Sequence, residues 1–290
     1  MVDVDDIKDN KDFGRNRPQD NQGLFVKGNA HSDWALKSRI VNCKSCKAVM
    51  LAFAHGYFKG QTSGLEWIDL NDLALVAYAD VMMSTHGVLR SVMPHSATKP
   101  VVLRASGESS VLRELENETV CVSIEDPIRL GVCAMAAQVH LRSNYGHKSI
   151  KPVIKLIDAG QRYGIPTLAD TGLGKDRKRD ARYFGLATRL AAEIGAHHAK
   201  SYYVKEGFAR VCAACPVPIV IAGGKKLPKI ESLDMAYKAI DQDAAGVDMG
   251  RNIFQAGELV AGIQAVTRVV HQGETGEKAY QMYQDLKGHA

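Results

Sequence analysis

The chain has 290 residues, 46% hydrophobic and 24% charged, with a net charge of +5. This is globular composition with room for one large α/β domain. A mean hydropathy of −0.17, and no apolar run near the ~20 residues of a membrane span, argue against a membrane protein. The mild, dispersed positive excess suits small anionic substrates better than a nucleic-acid groove.

Met1 to Asn16 is charged and lacks an apolar leader core, so a cytoplasmic location is expected. Residues 1–46 read as a polar N-terminal arm with a short helix from Asp33 to Ile40. Residues 47–290 read as the main domain. From Lys47 onward short apolar runs alternate with helical patterns. The runs are Ala48–Phe53, Asp80–Ser84, Pro100–Ala105, Cys133–Val139, Pro166–Ala169, Ala199–Tyr203, Pro218–Ala222 and Gly246–Gly250. They are nearly continuously apolar, as strands covered on both faces are. The segments Lys148–Tyr163, Asp180–Ile194, Glu231–Asp241 and Gly257–His271 carry apolar residues at helical spacing. Eight such units predict an α/β fold, a (β/α)8 TIM barrel. The rival, an open doubly wound sheet, wants a GxGxxG turn after a strand, and none is present. A last helix from Glu274 to Leu286 lies beyond the eighth unit, either capping the barrel or contacting another subunit.

Six cysteines include two CxxC pairs, Cys43/Cys46 and Cys212/Cys215. Their separation is far from the usual spacing of a zinc site, so reduced thiols and no metal are expected.

Active residues of a barrel sit at the C-terminal ends of its strands. That rule selects His55 after the first run, Arg104 ending the third, Asp170 ending the fifth, and Lys200 with Tyr202 in the sixth, with Arg104 and Tyr202 expected to line the substrate pocket. It also selects Gly223 and Gly224 after the seventh, and Gly250 and Arg251 after the eighth. Glycines let backbone N–H groups approach an anion, and Arg251 adds a charge-assisted contact. Paired loops after the seventh and eighth strands therefore read as a phosphate site, although each alone is compatible with a plain tight turn. His55 fits an acid/base role by its near-neutral pKa, or equally a structural histidine bonded to a turn.

Lys200 stands in a strand of otherwise apolar and aromatic residues. A lysine there either reaches solvent or is buried for a reason. Alternation sends Ser201 away from Lys200 and Tyr202. With the pair facing the barrel mouth, near Arg104 and Arg251, a lowered pKa and a nucleophilic amine are expected.

The motifs Ala52-Phe53-Ala54-His55-Gly56-Tyr57-Phe58, Val101 to Gly107, Lys200-Ser201-Tyr202-Tyr203-Val204, Ile219 to Lys226 and Gly246 to Phe254 resemble the archaeal-type class I aldolase family. The resemblance covers nearly the whole chain. It implies that Lys200 is a Schiff-base lysine, that His55 is the strand-one histidine, and that Gly223, Gly224, Gly250 and Arg251 hold phosphate. It implies no permanently bound cofactor and a homo-oligomeric ring, often a decamer. Glycine at position 172, where the sugar-phosphate aldolases carry tyrosine, favours the branch that passes an acetyl group from 3-hydroxy-5-phosphonooxypentane-2,4-dione to coenzyme A in autoinducer-2 breakdown. The alternatives are an aldolase on a related sugar phosphate and a catalytically weakened phospho-ligand binding protein. The last follows from Ala54, which stands where the family has aspartate. Asp170 is the expected substitute carboxylate.

Overall fold

The computed structural model describes residues 45–56, 60, 78–93, 99–107, 117–141, 146–173, 179–255 and 257–288. Residues 1–44 of the N-terminal arm, with its helix and Cys43, and Tyr57 with Phe58 of the first motif lie outside the described residues. The barrel strands are β1 (Ala48–Ala52), β2 (Val81–Thr85), β3 (Val101–Arg104), β6 (Ala134–Leu141), β7 (Thr167–Leu173), β8 (His198–Tyr202), β9 (Ile219–Ala222) and β10 (Gly246–Met249). They close in the order β1-β10-β9-β8-β7-β6-β3-β2, all parallel. A two-residue hairpin, β4 (Ser106–Gly107) with β5 (Thr119–Val120), leaves the end of β3. The eight predicted runs are thus the eight barrel strands, each boundary within a few residues.

Helices cover the outside: α1 (His86–Ser91), α2 (Glu125–Arg129), α3 (Gly146–Tyr163), α4 (Ala181–Glu193), α5 (Phe208–Ala214), α6 (Lys229–Asp241), α7 (Arg251–Phe254), α8 (Leu259–Gln272) and α9 (Gly276–Gly288). The predicted last helix is α9. It packs on α6 and α8 on the outside of the barrel, where Gly276 lies so close to the Asp234 backbone that a Cβ would come within 2.7 Å of its nitrogen. No described helix is long and apolar enough to cross a membrane.

Period-two alternation sorts each strand into two environments. Met50, Met83, Val102, Ala136, Leu168 and Val220 fill the interior. Their neighbours Leu51, Met82, Met135, Ala169, Ile219 and Ile221 pack under the helices. Lys200 shares the parity of the interior set and Ser201 that of the outer set. The floor is latched by Asp80, whose Oδ2 accepts from the Val49 amide at 2.6 Å and meets His271 Nε2 of α8 at 2.8 Å. Barrel closure also brings Cys46 and Cys212 into the field of one lysine. Burial lowers the pKa of Lys47, while Asp243 and these two thiols oppose the shift.

His198 opens β8 on the interior parity, beneath Lys200, and is buried. Burial first, and His197 second, push its imidazole down from 6.5 to about 4. Between these values the unfolded chain binds a proton that the folded chain refuses. Stability from this group is therefore complete above pH 6.5 and is lost as the pH falls toward 4, on the order of 3 kcal/mol in all. Denaturant unfolding at pH 7 and pH 5 checks this. The wild type weakens at pH 5, and His198→Gln loses less over the same interval.

Candidate active site

The register of β7 on β8 sets Asp170 directly opposite Lys200, and Gln138 opposite Asp170 on β6. Lys200 Nζ lies 3.1 Å from Asp170 Oδ2 and 2.9 Å from Asp248 Oδ2 of β10. Arg104 Nη1 stands 3.8 Å from the same Asp170 oxygen. The guanidinium also donates to Glu118 at 2.5 Å, to Gln138 Oε1 at 2.7 Å and to the Ser106 carbonyl at 3.2 Å. Ser106 Oγ donates to the other Glu118 oxygen at 2.6 Å and accepts from the Gln138 amide at 2.9 Å. Two cations and three carboxylates thus form one buried network across β3, β5's approach, β6, β7, β8 and β10.

This corrects the expected lowering of the lysine pKa. Burial alone would depress it, but Asp170 and Asp248 together outweigh both burial and the repulsion of Arg104, so the Lys200 ammonium is held above its ordinary range. Burial dominates at Asp248 and raises its carboxyl, with Lys200 opposing and Asp170 adding to the rise. The Asp248 side chain is fully shielded from solvent.

The expected phosphate residues gather at the neighbouring mouth. Gly224 takes the left-handed φ of +68°, and a Cβ on Gly223 would crowd Met249 and Asn252. Asn252 staples the two loops. Its Nδ2 donates to the Gly223 carbonyl at 2.6 Å, and its Oδ1 accepts from the Leu227 amide at 2.8 Å. Lys229 Nζ donates to its carbonyl at 2.5 Å. Arg251 Nε is buried with no hydrogen-bond partner among the described residues, and burial lowers its guanidinium pKa. Tyr202 stands at the rim instead of in the barrel. Its ring packs on Phe184 at 5.9 Å between centroids, beneath the Arg179 guanidinium at 4.7 Å.

His55 meets Phe254 edge-on at 5.4 Å, and its imidazole borders Gly250. A Cβ on Gly250 would lie 2.4 Å from His55 Cε1 and 2.5 Å from the Ala52 carbonyl oxygen. Backbone cannot yield as a flexible side chain can, so Gly250→Ala is expected to cost about 1–3 kcal/mol. It should also push His55 and the eighth-strand loop apart. Thermal melting, together with weaker stabilisation by inorganic phosphate, reads both effects.

Sequence reasoning missed Asp248, Glu118, Gln138 and His140. Asp248 had a signal, being a carboxylate on the interior parity of an apolar strand between Gly246 and Gly250. Glu118 had none, because the β4–β5 hairpin brings it to Arg104 from outside any barrel strand. A Cβ at Gly172 would fall 2.6 Å from His140 Nδ1 and 3.0 Å from Gln138 Nε2. His140 and Gln138 therefore fill the space that a larger residue at 172 would need. Lys175 and Asp176, in the loop after β7, lie outside the described residues.

A closed parallel barrel with a buried lysine between carboxylates at its strand ends is the architecture of a lysine-dependent aldolase. A family model described as DeoC/LacD family aldolase matches residues 48–256, and the chain belongs to this family. It is an enzyme of class I aldolase type. It is 60% identical to an uncharacterized aldolase of Pasteurella multocida, over 99% of this chain and 100% of that one. It is 58% identical to a protein of Salmonella paratyphi A named 3-hydroxy-5-phosphonooxypentane-2,4-dione thiolase, with the same coverage. An archaeal fructose 1,6-bisphosphate aldolase superposes with a TM-score of 0.75 at 21% identity, over 84% of this chain and 100% of that one. Another structure of such an aldolase, with its catalytic lysine bound to a carbinolamine intermediate, superposes with a TM-score of 0.73 at 20% identity, over 83% of this chain and 99% of that one. At these identities the structural likeness establishes the fold.

Proposed function

We propose that the enzyme cleaves 3-hydroxy-5-phosphonooxypentane-2,4-dione through an imine on Lys200 and delivers the acetyl group to coenzyme A, as a step of autoinducer-2 breakdown. The reading is carried by one observation: the Lys200 amine is clamped between Asp170 and Asp248 at the C-terminal end of the barrel. The 58% identity to the thiolase of Salmonella paratyphi A supports the choice of substrate.

The chemistry follows from the substrate. Lys200 condenses with the C4 carbonyl and releases water. The coenzyme A thiolate adds to C2, and the C2–C3 bond breaks. Its electron pair enters the iminium and leaves an enamine on Lys200. Protonation at C3 and hydrolysis release dihydroxyacetone phosphate and restore the lysine, while the acetyl group leaves as acetyl-coenzyme A. Gly223, Gly224, Gly250 and Arg251 receive the phosphate, which supplies the acceptor that Arg251 Nε lacks. Asp170 steadies the iminium, and His55 stands on the strand-one side as a further proton donor. A homo-oligomeric ring, decameric by family resemblance, and a cytoplasmic setting belong to the same reading.

The test is acetyl-coenzyme A formation from the phosphorylated diketone, with and without coenzyme A. An aldolase on a sugar phosphate would release product without coenzyme A. A binding protein weakened by Ala54 would be thermally stabilised by the diketone with negligible turnover, and Ala54→Asp would then raise the rate. Two carboxylates already within 3.1 Å of the amine favour the enzyme.

A further inference from the structure

The site carries one more carboxylate than it has cations. Glu118 is paired with Arg104 through the shortest contact in the network, which leaves Asp170 and Asp248 to share Lys200. The two aspartates are not equivalent. Asp170 keeps a second cation, Arg104 at 3.8 Å, and its side chain is 13% exposed. Asp248 is sealed. Its contact cation is Lys200 at 2.9 Å, its strand neighbours in register are Met50 and Ala222, and its Oδ1 has no hydrogen-bond partner among the described residues. The charged groups acting on it are Lys200, Asp170 and Arg104. If Lys200 becomes neutral, Asp170 still has Arg104 beside it, whereas Asp248 is left a bare buried anion. A bare buried carboxylate is costly and takes up a proton.

We propose that Asp248 is the base that takes the ammonium proton of Lys200 and the acid that returns it to the departing hydroxyl. This role rests on the Schiff-base reading above and adds to it the residue that makes an amine available. Asp248 accepts one proton from the ammonium, and the free amine attacks the substrate carbonyl, forming the C–N bond. The nitrogen's second proton passes to the former carbonyl oxygen. Asp248 then gives its proton to that hydroxyl, the C–O bond breaks, and water leaves with the bonding pair. The iminium that remains again sits between two carboxylates. The ammonium has lost two protons, both now in water, and Asp248 ends as it began. Asp248 thus supplies from strand eight a carboxylate of the kind absent at Ala54.

Borohydride trapping of the diketone on the full-length protein, followed by intact mass against pH, tests this. In the wild type the trapping rate levels off near neutrality. In Asp248→Asn it is expected to fall about 100-fold at pH 7 and to climb tenfold per pH unit as hydroxide replaces the carboxylate. In Asp248→Ala, formate, which can enter the vacated space, restores a measurable part of the lost rate. Wild-type rate and pH profile in a folded Asp248→Asn overturn the proposal and leave the imine intact. So does failure of formate to restore any rate to a folded Asp248→Ala. Absence of any adduct on the wild type overturns the imine itself, and this role with it.

Discussion

Lys200→Ala is expected to lose the borohydride-trapped adduct completely and to lower acetyl-coenzyme A formation by about 10⁴-fold or more. No neighbour can substitute: Arg104 is the other cation of the network, and a guanidinium stays protonated and does not form the imine. The same change has a second signature. Removing the ammonium leaves Asp170 and Asp248 facing one another in the barrel, and Asp248, fully shielded, no longer has its contact cation. Asp248 then holds a proton in the folded state that the unfolded chain releases at pH 7. Folded protein binding more protons than unfolded means stability that rises as pH falls. Between pH 7 and pH 5 the variant should therefore lose less melting temperature than the wild type, because the gain at Asp248 offsets the loss at His198 that both proteins carry. An adduct of equal yield in Lys200→Ala would show that another lysine carries the chemistry.

Arg104→Met should have the largest effect on stability. The guanidinium is buried and serves Glu118, Gln138, the Ser106 carbonyl and Asp170. Burial by itself would depress its pKa, but Glu118 first and Asp170 second outweigh that and hold it above the ordinary range. Removing one partner of a buried ion pair leaves an uncompensated charge, at about 3–5 kcal/mol. For a barrel of this size that is a fall of roughly 6–15 °C in melting temperature. Arg104→Met combined with Glu118→Leu removes both charges of the tightest pair and is expected to recover most of the loss, because the penalty lies in the orphaned Glu118 carboxylate. A single Arg104→Met costing under 1 kcal/mol would show that the network is screened by water. The pair also explains why Arg104, which the sequence suggests as a substrate contact, acts through its neighbours: its donors are spent on the protein, and its reach to the reaction is through Asp170.

The catalytic side of the barrel was legible to different depths. Lys200 and Asp170 follow from two facts a sequence carries, parity within a strand and position at its C-terminal end. The glycine loops after β9 and β10 follow from the same rule. The sign of the Lys200 shift did not follow, because it depends on which charges arrive from other strands. Asp248 sits 48 residues downstream and reaches the amine only because closure makes β10 a neighbour of β9 and β1. Tyr202 has interior parity, yet at the strand end its ring leans onto Phe184 and Arg179, where the pleat no longer constrains it. The helix α9, foreseen as a cap or a subunit contact, found its partner in α6 and α8.

What the sequence by itself determined was the rhythm. Eight apolar runs separated by amphipathic helices require a parallel sheet covered on both faces, and without a dinucleotide turn the sheet closes. Alternation then fixes which side chains enter the barrel. Only the tertiary structure decided the electrostatics. Charge–charge terms depend on distances between residues far apart in the chain and on the exclusion of water around them. Closure of the barrel set two aspartates beside one lysine, and the β4–β5 hairpin carried Glu118 to Arg104. A lysine that the strand pattern marks as a nucleophile is consequently held as an ammonium ion until a neighbour takes its proton.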